Sequence, residues 1–206
     1  MTRIAGLTGA TLETAPSVCH ECIWWQTRNG RSADKRKWIR EVEDEWGAWG
    51  TVYYDDDGRL LGSMQYGPGD AFPRAGELPA GPVGDDAVLV TCAYLTDPSR
   101  PWVMQSLFLT AIGDARERGA RALEAFAYRY PEGETQLERF HVHRTIFPAD
   151  FLADFGFLPV RARGRVELAR LELGGLQPVV EGKRAKVLEV VREAFAPAPA
   201  PRPQRP

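Results

Sequence analysis

The sequence has little of what builds cross-linked or metal-bound scaffolds: of 206 residues, three are cysteine (Cys19, Cys22, Cys92) and three are histidine. So small and odd a number of cysteines does not make a secreted disulfide framework. No apolar run approaches the roughly 18 residues of a membrane-spanning helix, so no membrane partner is expected. An excess of either charge is also missing. Lys and Arg total 26 and Asp and Glu 28, for a formal net charge of −2. Chains that neutralise many phosphates are usually clearly basic, so nucleic acid is not an expected partner. Residues 1–7 hold no long apolar segment followed by a small-residue cleavage site, which makes cytoplasmic the expected location.

What is present is apolar material in quantity. Hydrophobic residues make up 44% of the chain, enough for a substantial core, and the length suits one domain. That domain is expected over residues 1–196, followed by an Ala/Pro-rich tail, 197–206, expected to be extended and disordered. Residues 3–10 are a weak first strand because of their glycines. Ser32 is placed to cap a helix to about Trp46, with Trp38, Val42 and Trp46 on one face and Lys35, Arg36, Glu43 and Asp44 in water. Residues 49–54 and 60–66 flank Asp55-Asp56-Asp57-Gly58 as a hairpin. A Pro- and Gly-rich stretch, 67–84, reads as a long loop.

Residues 86–95 are almost continuously apolar, as in a central strand covered on both faces. A helix to about Arg118 follows Pro101, with Leu107, Ala111, Ile112 and Ala115 as its apolar stripe, and residues 122–128 form another strand. Strand, helix and strand make a βαβ unit with parallel strands. A short helix over 148–155 ends at Gly156. Strands 158–163 and 166–173 turn around Gly164, and a last amphipathic helix is expected over 181–195.

This order resembles that of the GNAT acyl-CoA N-acyltransferases over most of residues 30–173. The most specific pieces are Ser106-Leu107 followed by Gly119-Ala120-Arg121-Ala122-Leu123-Glu124-Ala125, and Phe151-Leu152-Ala153-Asp154-Phe155-Gly156-Phe157. Cys19-His20-Glu21-Cys22-Ile23-Trp24-Trp25, Gln65-Tyr66-Gly67-Pro68 and Asp85-Asp86-Ala87-Val88-Leu89 resemble a subset of uncharacterised bacterial GNAT-like proteins. The resemblance implies an α/β fold with a mixed, mostly antiparallel sheet and one parallel βαβ crossover. It also implies acetyl-CoA as acyl donor and, as acceptor, an amine-bearing small molecule or protein. The cofactor contacts fall on Ala93, Tyr94 and Leu95, then on Arg100, Val103, Met104, Gln105 and Ser106. The sequence departs from the family at the acyl-CoA loop. Trp102 and Met104 stand at the usual glycine positions, and Pro101 removes one N–H from the cradle. Leu152 stands where many members have a tyrosine proposed to protonate the leaving thiolate.

Glu124, between apolar Leu123 and Ala125, is the candidate catalytic base, with Asp86 as a rival. The alternative is an ion pair with an arginine such as Arg129. Cys19 and Cys22 form a C-x-x-C that reads as a redox pair, as half of a zinc site with His20, His141 or His143, or as two partly buried thiols. No metal is assigned. Trp24, Trp25, Trp38, Trp46 and Trp49 form either an aromatic substrate wall or core. His141 and His143, two apart, share one face if that segment is extended, either in a surface loop or as proton shuttles. A fold kept as a non-catalytic ligand-binding module is the competing reading. Oligomeric state is left open.

Overall fold

The computed structural model describes residues 3–29, 31–97, 99–130 and 146–174. The expected last helix, the tail, His141 and His143 lie outside these residues. Among the described residues the chain has eight strands and four helices: β1 (Arg3–Gly6), α1 (Ser17–His20), α2 (Lys35–Glu45), β2 (Gly50–Tyr54), β3 (Leu60–Pro68), β4 (Ala87–Leu95), α3 (Pro101–Glu117), β5 (Ala122–Tyr128), β6 (Phe147–Pro148), α4 (Ala149–Asp154), β7 (Leu158–Arg163) and β8 (Val166–Glu172). The strands form one sheet in the order β1-β2-β3-β4-β5-β8-β7, with β6 beside β5. Neighbours are antiparallel except β4–β5 and β5–β6. This is the mixed, mostly antiparallel α/β arrangement expected above, with the parallel β4–α3–β5 crossover in place.

The two faces of the sheet are covered differently because strand side chains alternate. Val52, Tyr54, Leu89, Phe126 and Leu168 face a cluster made by Trp25, Trp38, Ile39, Val42, Trp49 and Phe72. Three tryptophans, Trp25, Trp38 and Trp49, are therefore core, and Trp24 and Trp46 pack partly buried against them. On the opposite face α3 lies against β2, β3 and β4 with Val103, Leu107, Phe108, Ala111 and Ala115 buried. Phe108 gathers Phe147, Phe151, Phe155 and Phe157, with ring centroids 4.4–6.1 Å away, so α4 docks on α3 through aromatic contacts.

The Phe-Gly-Phe end of α4 has a local cause. Gly156 adopts φ +83°, its N–H donates to the Ala153 carbonyl, and the Phe157 N–H donates to the Leu152 carbonyl. That closes the helix with paired carbonyls and brings buried Leu152 and Phe157 together.

Three expectations are corrected. α2 is capped by Asp34, whose carboxylate accepts from the Lys37 N–H at 3.0 Å, and not by Ser32. Lys35 is buried instead of wet. The stretch after Tyr66 is not one loop: β3 runs on to Pro68, and two 3-10 turns, Gly69–Ala71 and Pro73–Gly76, tuck Phe72 and Ala75 into the core.

Gly50, in β2, lies tight against the β3 backbone. A Cβ there would stand 2.3 Å from the Met64 carbonyl oxygen, which is backbone and has no rotamer to yield. Gly50→Ala is expected to lower stability by about 2–3 kcal/mol, read as a lower urea midpoint with unchanged m-value.

Candidate functional site: the opening between β4 and β5

β4 and β5 are zipped only at their first residues. The pairs run Ala87–Ala122, Val88–Leu123, Leu89–Glu124 and Val90–Ala125, and there the ladder ends, five residues before β4 does. The cause is a bulge. Across from β4, Gln65 pairs with Cys92 but Tyr66 pairs with Val90, leaving Thr91 as the extra residue. Thr91 is fully buried and its hydroxyl donates to the Gln65 carbonyl at 3.1 Å, which holds the bulge in place. A bulge bends its strand, so β4 follows β3 from Cys92 to Leu95 while β5 turns to pair Ala127 and Tyr128 with β6. A V-shaped opening between parallel strands results, and Ala93, Tyr94 and Leu95 lie along one arm.

The chain then crosses to α3 through residues 96–100. The Asp97 carboxylate accepts from the Ser99 N–H (2.9 Å), the Ser99 hydroxyl (2.6 Å) and Arg100 Nε (3.1 Å). The Ser99 hydrogen bonds, chiefly, hold the Asp97 carboxyl below its ordinary range. Pro101 supplies no N–H, and the Val103 N–H donates to the Arg100 carbonyl. Several donors that an anion would use at this end of α3 are thus already committed.

The side chains at the two altered loop positions point elsewhere. The Trp102 ring stands edge-on to Tyr53 at 5.6 Å, and Met104 is buried. Val103 is also fully buried, against the backbone at Gly62, and the Ser106 hydroxyl is turned back to the Trp102 carbonyl. Leu152 is buried and carries no acidic proton.

Glu124 sits at the zipped end of the strands. Arg170 Nη1 donates to Glu124 Oε1 and Asp86 Oδ1, each at 2.9 Å; Nη2 donates to Asp86 Oδ2 at 2.9 Å; and Nε donates to Glu172 Oε1 at 2.6 Å. Glu124 Oε2 accepts from the Gly84 N–H at 2.9 Å. Both oxygens of Glu124 and of Asp86 are therefore engaged. The ion-pair partner of Glu124 is Arg170; Arg129 pairs instead with Glu167 at 2.6 Å. At about 3.3 Å per strand residue, the 93–95 segment lies roughly 13–20 Å further along β4 than Leu89, the partner of Glu124. The structure brings Ala93–Leu95 and Arg100–Ser106 together in succession and leaves Glu124 at the other end.

Two features escaped the sequence reading. Arg170 looks like a surface arginine in a hairpin strand, and only its position between Ala169 and Leu171 hinted at burial. Lys35 is held with Nζ 3.0 Å from the Cys22 carbonyl oxygen and over the faces of Trp38 (4.8 Å) and Trp49 (5.1 Å). Its pKa is lowered, chiefly by burial. Cys92, whose thiol donates to Gln65 Oε1, has its pKa pushed up to about 12 by burial and stays a neutral thiol. Among the described residues no three His, Cys, Asp or Glu side chains are grouped to hold a metal ion. No helix there is long and apolar enough to cross a membrane. An open pocket of ≈ 410 Å³ is lined by Gln26, Arg28, Asn29, Arg31, Ser32 and Ala33, none of them in the opening.

No family model and no curated protein matches the sequence. Solved structures do. The PaiA N-acetyltransferase of Thermoplasma acidophilum, in complex with coenzyme A, is 14% identical, with 84% of this chain and 99% of that one covered at a TM-score of 0.46. The ribosomal-protein-S18-alanine N-acetyltransferase of Escherichia coli is 12% identical, covering 87% and 99%, with a TM-score of 0.45. A GCN5-related N-acetyltransferase of Kribbella flavida is 14% identical, covering 83% and 97%, with a TM-score of 0.43. At these values the likeness assigns no residue and no activity to this chain.

Removing Arg170 leaves the buried Glu124 carboxylate without its counter-ion. Arg170→Met is expected to cost about 3–5 kcal/mol at pH 7. The direction of the pH effect follows from Asp86, whose carboxyl Arg170 holds below the ordinary range through its hydrogen bonds. A lowered folded-state pKa contributes stability above the unfolded value of about 3.9, lost as pH falls through the folded one. Urea unfolding from pH 7 to 2.5 should therefore show the gap between wild type and Arg170→Met narrowing below about pH 4.

Proposed function

We propose that the protein transfers an acyl group, most simply acetyl, from acyl-CoA to a primary amine. The observation that carries this reading is the ladder between β4 and β5 ending at Val90 while β4 continues to Leu95. Splayed parallel strands offer backbone groups to an extended ligand, and the amide arm of pantetheine is such a ligand. Ala93, Tyr94 and Leu95 are the residues for that arm. Arg100 and the backbone of Val103, Met104, Gln105 and Ser106 are those nearest the pyrophosphate.

The fit is uneven. The opening suits the arm, but Asp97 already holds Ser99 and Arg100, and Pro101 has no donor. Weak binding of the pyrophosphate follows, because Ser99 and the Arg100 Nε must first leave the Asp97 carboxylate. In the reaction the neutral amine attacks the thioester carbonyl, the C–N bond forms, the C–S bond breaks, and the thiolate takes a proton. A strand N–H near Tyr94 is the donor for the developing oxyanion. Glu124, ion-paired at the far end of the strands, acts here as a positioning residue that holds Gly84 and β8. The proton of the amine passes to solvent.

The same Asp97 contacts favour a second reading, a non-catalytic ligand-binding module whose anion site is closed. Calorimetry with acetyl-CoA separates the two. Acyl transfer predicts measurable binding by wild type, tightened about tenfold (about 1.4 kcal/mol) in Asp97→Ala, together with CoA release when an amine panel is added. A folded wild type and a folded Asp97→Ala that both fail to bind would end the acyltransferase reading. Binding gained only in Asp97→Ala, without turnover, favours the module.

A further inference from the structure

The C-x-x-C of residues 19–22 is not used by the proposed acyl transfer, and its surroundings are unusual. Cys19 is the third residue of α1, and Glu21, just past its end, keeps helical backbone angles (φ −106°, ψ −2°). One helical turn therefore separates Cys19 from Cys22, and residues three apart on a helix have Cα atoms about 5–6 Å apart. That lies within the window of about 4.4–6.8 Å in which a disulfide closes without backbone movement. No disulfide joins them; Cys22 is exposed, and Cys19 is half-buried at the rim of the tryptophan cluster.

Beside them stands the buried ammonium of Lys35. Among the described residues no carboxylate lies within 4 Å of it, an uncommon state for a buried cation. What surrounds it is the Cys22 carbonyl and two indole faces. Cys92 is half-buried and hydrogen-bonded to Gln65, whereas Cys22 is exposed, so Cys22 is the cysteine that an outside reagent reaches most readily. Thiol oxidation proceeds through the thiolate, and the Lys35 ammonium is bonded to the backbone carbonyl of Cys22 itself.

We propose that Cys19 and Cys22 are a peroxide-sensitive dithiol, with Cys22 the attacking sulfur, Cys19 the resolving one and Lys35 the positioning cation. The Cys22 thiolate attacks one peroxide oxygen, the O–O bond breaks, and hydroxide leaves, giving a sulfenic acid. The Cys19 sulfur then attacks the sulfenic sulfur, the S–S bond forms, and the S–O bond breaks. The two thiol protons leave with the oxygens, so two thiols and one hydrogen peroxide become one disulfide and two waters. A dithiol reductant reverses the change by exchange. The inference stands apart from acyl transfer and does not depend on it.

The test uses the full chain, reduced, desalted and treated with a few equivalents of hydrogen peroxide, then unfolded in N-ethylmaleimide and digested with trypsin. Residues 4–28 form one tryptic peptide holding both cysteines, and Cys92 falls in another. The expected result is a residue 4–28 peptide that is 2 mass units lighter than the reduced form and unalkylated, restored by dithiothreitol, with Cys92 still alkylated. Lys35→Met should slow the oxidation about tenfold, and Lys35→Arg should restore most of the rate. Circular dichroism confirms that each variant is folded. Should Lys35→Met be unfolded, the wild-type digest decides alone. Full alkylation of Cys19 and Cys22 after peroxide, or a Cys22 sulfinic acid with no disulfide, would overturn the proposal.

Discussion

One guanidinium, that of Arg170, is the contact on which the central sheet turns. It bridges Asp86 at the entry to β4, Glu124 within β5 and Glu172 at the end of β8, and so ties three neighbouring strands at one end. Two of its hydrogen bonds reach Asp86 side by side, the fork geometry that a lysine cannot reproduce. Charges this close to the interior are tolerated because each carboxylate has its donors and the cation has four acceptor oxygens on three carboxylates. The Gly84 N–H on Glu124 extends the tie into the preceding loop.

With that end held, the other end is free to part. Four residue pairs zip β4 to β5, and the bulge at Thr91 then turns β4 away while β5 takes β6 as its new neighbour. A sheet cannot be pinned and open at the same place, which is why the Glu124 network and the 93–95 segment lie at opposite ends. The ion-paired carboxylates stand roughly 13–20 Å along the strand from the 93–95 segment. The loop to α3 carries a comparable compromise. Asp97 satisfies donors at Ser99 and Arg100 that would otherwise face solvent, so the loop gains order.

Elsewhere on the same face of the sheet charge is handled differently. Lys35 enters the tryptophan cluster with a carbonyl and two indole faces in place of a carboxylate. Electron-rich but neutral groups stabilise an ammonium only partly, and its lowered pKa follows. The C-x-x-C therefore borders a positive charge that the sequence had placed in water.

Sequence alone determined the order of the elements, because that order is written in local chemistry. The apolar run of β4, the turn residues at Asp55–Gly58, the period of α3 and the glycine after α4 each act within a few residues of chain. It also gave reason to question the acyl-CoA loop, since Pro101 lacks a donor wherever the chain goes. Only the tertiary structure decided which charges meet. Arg170 is 46 residues from Glu124 and 84 from Asp86, and Lys35 is 13 from Cys22. Nothing local distinguishes a lysine at the start of a helix that will be buried from one that will not. Nor could spacing tell that Asp34, not Ser32, would cap α2, or that Thr91 would be the residue left over between β3 and β4. Such choices come from how separate segments pack. A buried charge takes whatever partner the packed segments bring to it.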